Sequence, residues 1–310
     1  MAELSLASLK LTMLPVAPFN FDLTTGIFSH DDNDIATSKD GRYSRVIRVN
    51  DKLILVQMKS TGTVDKPKLL VELKSDRRIT DAEKKQIRKI IRSMFNLDLD
   101  LERFYAETSK DKTLARIANQ LRGLKTPTTE NVFEALISSI VEQQISLNVA
   151  RHLEHNIVKA FGDALRTSDR ILWAFPTPRR LASATIKRLR KLGLSQRKAE
   201  YIQNIARLVA DGKLDLEKLS TENVDEIVRR LDQIRGIGLW TAELTMLRGM
   251  RKFEVMPADD LGLRRVIAHY YCCNRRISSE EARKIGEKWG RWKGLASFYL
   301  IVADLMGIGT

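Results

Sequence analysis

Leu231-Asp-Gln-Ile-Arg-Gly-Ile-Gly-Leu-Trp-Thr-Ala242 lies between two stretches of helical apolar period, and its reading decides how the chain folds. Gly236 and Gly238, two apart, permit a tight turn with positive φ and leave backbone N–H groups uncovered where the next helix begins. A phosphate can approach such a helix start. A bare Gly-x-Gly more often marks an ordinary turn between packed helices. Here Ile234 and Ile237, Thr241-Ala242 and the basic chain as a whole agree on a phosphate-docking turn.

Working outward, Val224, Ile227, Val228 and Leu231 form one stripe, Leu263, Val266, Ile267 and Tyr270 another, and Phe133, Leu136, Ile137, Ile140 and Val141 a third. Thr177-Pro178 and Gly193 followed by Ser195 supply helix starts and stops. From Gly123-Leu-Lys-Thr-Pro127 to Met306 almost every apolar residue can be placed on helices. Before it, Tyr43-Ser-Arg-Val-Ile-Arg-Val49 alternates, and Asn50-Asp51 and Gly62 are turn residues. The span from about Tyr43 to Ser75 therefore reads as an antiparallel meander. Ile87, Ile90, Ile91 and Met94 make a helix to lie on it. The expected fold is an α+β N-terminal domain over 1–110, a small antiparallel sheet with a helix, followed by a mainly α helical bundle over 111–310.

The 310 residues hold 53 Lys+Arg against 39 Asp+Glu, a net charge of +14, which favours a polyanionic partner, although ribosomal and membrane-surface proteins are basic too. The run Lys187–Lys191 reads as a solvated helix face. Cys272 and Cys273 are adjacent, which disfavours a disulfide, and no C-x-x-C spacing exists. His30, His152, His155 and His269 are too dispersed for a zinc site. A reducing compartment is expected, with no membrane span and no export segment.

The hairpin resembles the helix-hairpin-helix of DNA-binding proteins, whose usual form is L-P-G-I-G-x-x-T-A. Arg235 stands where proline is usual, and either loosens entry to the turn or adds a phosphate contact. Downstream comes Val255-Met-Pro-Ala-Asp-Asp-Leu-Gly-Leu-Arg-Arg265, and upstream Val132–Ser146 is similar to E-A-L-x-x-x-I-x-x-Q-Q-x-S. In that order, across Phe133–Val302, the motifs resemble the helix-hairpin-helix, Gly/Pro-rich loop and aspartate superfamily of DNA glycosylases. Within it the 3-methyladenine DNA glycosylase II type is most similar. The N-terminal domain matches that type and the 8-oxoguanine glycosylases by architecture.

The resemblance implies base-excision repair by base flipping, with the hairpin at 231–251 and the aspartate loop at 255–265. Its catalytic acid carries over to Asp260, which would stabilise an oxocarbenium-like sugar and guide the attacking water. An aspartate before a helix is also a natural N-cap, and both roles are compatible. Bifunctional relatives carry a nucleophilic lysine at the position of Trp240. No lysine occurs from Leu231 to Arg251, so the resemblance implies a monofunctional enzyme. Trp240, Asp259, Leu244 and Ile301 are expected around the base; the last position and Leu244 replace aromatics of the best-known type, which leaves alkylated, oxidised (8-oxoguanine) and deaminated (hypoxanthine) purines open. Gly236, Gly238, Trp240, Thr241, Arg235, Arg248 and Arg264 are expected at DNA phosphates, with Arg265 beside them, and Gln144 as the wedge that fills the gap. Neither metal nor cofactor is required, and a monovalent or divalent cation on the hairpin carbonyls is left open. The implied partner is double-stranded DNA containing a damaged base, met by a monomer away from membranes, in the nucleoid-bearing cytoplasm of a prokaryote or a eukaryotic nucleus. A non-catalytic DNA-damage-binding protein would suit the hairpin equally, but has no need of Pro257-Ala-Asp-Asp260.

Overall fold

The computed structural model describes residues 7–27, 35–167 and 170–309; His30 lies outside them. Strands β1 (Ala7–Met13), β2 (Ala36–Lys39), β3 (Arg42–Val49), β4 (Lys52–Ser60) and β5 (Leu69–Ser75) form one antiparallel sheet in the order β1-β5-β4-β3-β2. The expected meander is β3 to β5, and β1 and β2 extend it at both edges. Residues that tolerate left-handed backbone make the tight connections: Lys39 pairs with Arg42 across Asp40 (φ 51) and Gly41 (φ 67), and Val49 pairs with Lys52 across Asn50 (φ 53) and Asp51.

Helix α1 (Phe21–Gly26) precedes β2, and α2 (Asp81–Met94) follows the sheet, opened by a reciprocal Thr80–Glu83 capping box. Ile87, Ile91 and Met94 of α2 are buried with Ile54, Val56 and Val71 of the sheet, and Ile90 at the margin, as the stripe requires. Each such side chain contributes about 1.5–3 kcal/mol of burial. Next come α3 (Leu101–Thr108) and α4 (Lys112–Gln120), on either side of residue 110. Then α5 (Val132–Glu142) and α6 (Leu147–Phe161) lead into a short ribbon, β6 (Asp163–Arg166) paired with β7 (Ile171–Ala174). The helical reading gave no sign of this ribbon, because an apolar run as short as Ile171–Ala174 has no period to read. Leu165, Leu172 and Ala174 pack on Val46 and Leu55, covering the sheet face that α2 does not.

The chain continues through α7 (Pro178–Ala182), α8 (Ile186–Lys191), α9 (Gln196–Ala210), α10 (Leu216–Leu219), α11 (Val224–Asp232) and α12 (Leu239–Gly249). It ends with α13 (Leu261–Tyr271), α14 (Ser279–Gly286) and α15 (Lys293–Leu305). Two cores result. One joins α5, α6, α9 and α11; the other joins α3, α4, α13 and α15 around Phe104, whose ring meets Trp292 and Tyr299 at 5.7 and 5.0 Å. Met246 of α12 and Met250 at its C-cap belong to the first core, Phe253 and Met256 just beyond to the second, and Leu247 packs on both. The hairpin and the loop after it therefore sit on the seam between two cores. Among the described residues no helix is long and apolar enough to cross a membrane.

Sheet and bundle meet at Arg45, whose guanidinium lies 2.6 Å from buried Glu134 and 3.9 Å from Glu130. Beside it a cavity of about 250 Å3 is lined by Tyr43, Ser138, Glu142, Arg151, Glu154 and Arg248 among others. Glu134, Ser138 and Glu142, four residues apart, share the face of α5 that looks into it. Burial pushes the Glu154 carboxyl up to about 7, against the Ser138 hydroxyl that donates to it. A raised carboxyl contributes stability that is complete below the unfolded value of 4.5 and lost as pH rises toward 7. Glu154→Gln should therefore gain stability relative to the parent between pH about 4.5 and 7 and hold that gain above it. Thermal unfolding of both proteins from pH 5 to 8 checks this.

Candidate active site and DNA-docking hairpin

Helix α11 ends at Asp232, the chain turns through Gln233–Ile237, and α12 begins after Gly238. The two glycines do different work. Gly236 has φ +98, and a Cβ there would stand 2.3 Å from the Tyr201 ring, so both conformation and packing require glycine. Gly238 has φ −103, and a Cβ there would meet nothing. It leaves α12 without a side-chain cap, so the first N–H groups of the helix face outward. Arg235 places its guanidinium 5.9 Å from the Tyr201 ring centre, over the base of the turn. The residue in proline's usual place is thus packed onto the hairpin's support.

The turn between α5 and α6 is fastened to this hairpin. Gln143 Nε2 donates to the Gly236 carbonyl and to Thr241 Oγ1, both at 2.9 Å. Lys198 Nζ donates to the carbonyls of Val141 and Gln143 at 2.7 and 2.6 Å, closing the end of α5. Burial holds the Lys198 amine below its ordinary range. Between these anchors Gln144 is exposed at φ +59, a left-handed conformation that costs a non-glycine residue about 1–2 kcal/mol. The Gln144 side chain is thereby presented outward from a turn held on both sides. Sequence reading put the wedge in the turn Gln143-Gln144-Ile145, with Gln144 foremost, and missed the fastening bonds of Gln143 and the role of Lys198. The adjacent glutamine carried no separate signal, and Lys198 lies 55 residues from the carbonyl of Gln143. Thr241, expected at a phosphate, is buried, with its hydroxyl engaged by Gln143.

Asp260 caps α13, its Oδ1 accepting from the Leu263 N–H at 2.8 Å. Its Oδ2 accepts from Trp240 Nε1 at 3.2 Å, so residues 20 apart in sequence meet across the seam. Both side chains are half-buried. Neighbouring Asp259 is exposed and turns to Arg283 at 3.3 Å. Arg283 also grips buried Glu243 of α12 at 2.6 and 3.0 Å and the Met256 carbonyl at 3.2 Å, pinning the 255–260 loop to the helix that carries Trp240. Burial raises the Glu243 carboxyl despite that guanidinium. The two acids are thus distinguished by their partners: Asp259 by an arginine, Asp260 by an indole and a helix start.

Leu244 is buried one turn beyond Trp240 on α12, and Ile301 is half-buried with the C-terminal core on α15. Three of the arginines expected at phosphates, Arg235 aside, are already occupied. Arg248 pairs with Glu142 in the cavity wall, Arg265 forks onto Asp304 at 2.7 and 3.2 Å, and Arg264 donates to the Ile277 carbonyl at 3.5 Å. Among the described residues no cluster of three or more His, Cys, Asp or Glu could hold a metal ion, and both cysteines are free.

A hairpin with an uncapped helix start, the α5–α6 turn fastened to it and an acid bonded to its tryptophan thus lie together on the seam between the cores. The family of HhH-GPD superfamily base excision DNA repair proteins matches residues 137–291, and the 8-oxoguanine DNA glycosylase N-terminal domain matches residues 13–136. A DNA-3-methyladenine glycosylase of Bacillus subtilis (strain 168) is 32% identical over 284 residues, 91% of this chain and 93% of that protein. The solved 3-methyladenine DNA-glycosylase from Archaeoglobus fulgidus superposes with a TM-score of 0.85 at 28% identity, over 96% of this chain and 98% of that one. The 8-oxoguanine glycosylase/lyase of Clostridium acetobutylicum, solved with double-stranded DNA, shares the fold at a TM-score of 0.77 and 21% identity, over 98% of each chain. The chain belongs to the HhH-GPD superfamily and is a DNA glycosylase of base-excision repair.

The two glycines separate in a test of stability. Gly236→Ala should lower the unfolding free energy by about 2 kcal/mol or more, from the left-handed backbone and the Tyr201 clash. Gly238→Ala should cost about 1 kcal/mol or less, yet weaken binding to duplex DNA. Denaturant unfolding and fluorescence anisotropy on the two variants read both effects.

Proposed function

We propose that this glycosylase hydrolyses the N-glycosidic bond of an alkylated purine extruded from duplex DNA, as a monomer and without a covalent enzyme–DNA intermediate. The observation that carries this reading is the bond from Trp240 to Asp260. The position from which an amine would attack the sugar holds an indole, and that indole grips the acid. Each Asp260 oxygen accepts one protein hydrogen bond and keeps a second acceptor position. A water can donate there, and the start of α13 favours the charged carboxylate. As the base leaves, positive charge develops on the sugar; the carboxylate stabilises it and takes the water's proton. The Trp240 face is the surface on which a cationic purine stacks. Gln144 enters the gap the base leaves, and the hairpin N–H groups take the backbone phosphate.

Relatives named for 3-methyladenine, similar over nearly the whole chain, support the alkylated substrate. A second reading, excision of an oxidised purine such as 8-oxoguanine, is favoured by the N-terminal match to the 8-oxoguanine glycosylase domain. Duplexes with a single alkylated, oxidised or deaminated purine separate the readings: release from the alkylated duplex, with the strand intact, is expected to be fastest.

Asp260→Asn keeps a good N-cap, so stability should stay within about 1 kcal/mol of the parent, while single-turnover base release falls by about 10^3-fold or more. Full activity in a folded Asp260→Asn enzyme removes the assignment.

A further inference from the structure

Three arginines near the acid loop and in the cavity wall are spent on carboxylates: Arg283 on Glu243 and Asp259, Arg265 on Asp304, Arg248 on Glu142. A basic group next to the hairpin's support is not. Lys187, Arg190 and Lys191 of α8 and Arg197 at the start of α9 are all exposed, and among the described residues none has an ion-pair or hydrogen-bond partner for its side chain. Lys187, Arg190 and Lys191 border an open hollow of about 560 Å3 with Ile186 and Gln196. Glu200 accepts from Gln196 Nε2 at 2.6 Å and forms no ion pair with these four cations. Four like charges on two short stretches repel one another, a cost that an anionic partner removes.

Position identifies the partner. Lys198, one residue after Arg197, bonds the carbonyls of Val141 and Gln143. Tyr201, one turn on, lies under Gly236 and Arg235. Helix α9 is therefore the support shared by the wedge turn and the phosphate-docking hairpin, and its first turn carries the unpaired surface out beside the wedge. We propose that Lys187, Arg190, Lys191 and Arg197 form a second contact surface for the phosphate backbone of duplex DNA, flanking the wedge. A run that reads in the sequence as a solvated helix face is then the place where much of the protein's excess charge meets its polyanion. Contacts of this kind set affinity and its salt dependence, and leave the choice of base to the pocket.

The inference rests on hairpin docking of duplex, and its test uses an undamaged duplex so that it is independent of which base is excised. Anisotropy titrations across a series of salt concentrations give the slope of log affinity against log salt. For Lys187→Gln/Arg190→Gln/Lys191→Gln, and separately for Arg197→Gln, the slope should become shallower by about 0.9 for each phosphate that the variant no longer neutralises. Arg122→Gln, which removes a cation already paired with Asp65 and Glu102, should leave the slope unchanged. A parental slope in the triple variant and in Arg197→Gln overturns the proposal while leaving hairpin docking intact. Equal shallowing by Arg122→Gln also overturns it, since net charge alone would then explain the effect. Failure of the parent enzyme to bind duplex at all overturns both.

Discussion

One side-chain amide ties the architecture together. Gln143 donates at once to the carbonyl of the hairpin glycine and to the hydroxyl of Thr241, and so fastens the α5–α6 turn to the α11–α12 hairpin. Each bond is worth about 0.5–1.5 kcal/mol net, a small sum beside the cores on either side. Its importance is geometric. Without it, a turn holding Gln144 in left-handed backbone would keep only the Lys198 bonds to the Val141 and Gln143 carbonyls to fix that conformation. With it, Gln144 and the first amides of α12 keep a fixed separation.

The same economy governs the acid. Arg283 draws Asp259 outward and binds the loop to Glu243, leaving Asp260 to face Trp240 and cap α13. The seam between the two cores is where this assembly lies, because α12 contributes to one core and the residues just beyond it to the other. Ion pairing elsewhere is uneven: Arg283, Arg265 and Arg248 hold the protein's own carboxylates, whereas among the described residues Lys187, Arg190, Lys191 and Arg197 on α8 and the start of α9 hold none.

Much of this was legible in the sequence where local rules act alone. The stripe Ile87–Ile90–Ile91–Met94, the alternation of β3 and the two glycines each report a period or a backbone conformation that neighbours in sequence impose. What escaped was tertiary. The β6–β7 ribbon is too short to show a period, and α3 and α4 look local yet share a core with α13 and α15. Arg248 and Arg265 read as free cations because nothing in sequence announces Glu142 or Asp304. The bonds that Gln143 and Lys198 make escaped for the same reason: their work is a distance between elements, and no motif spells a distance.

The central claim is that an indole-gripped aspartate, without a lysine nucleophile, breaks the glycosidic bond. The most direct measurement is hydride trapping: the enzyme is incubated with a duplex carrying one alkylated purine in the presence of borohydride, and free base and covalent complex are measured together. The account predicts free base, an unbroken strand and no trapped complex. A covalent enzyme–DNA adduct formed in proportion to base release would contradict it, because an amine of the protein would then have attacked the sugar.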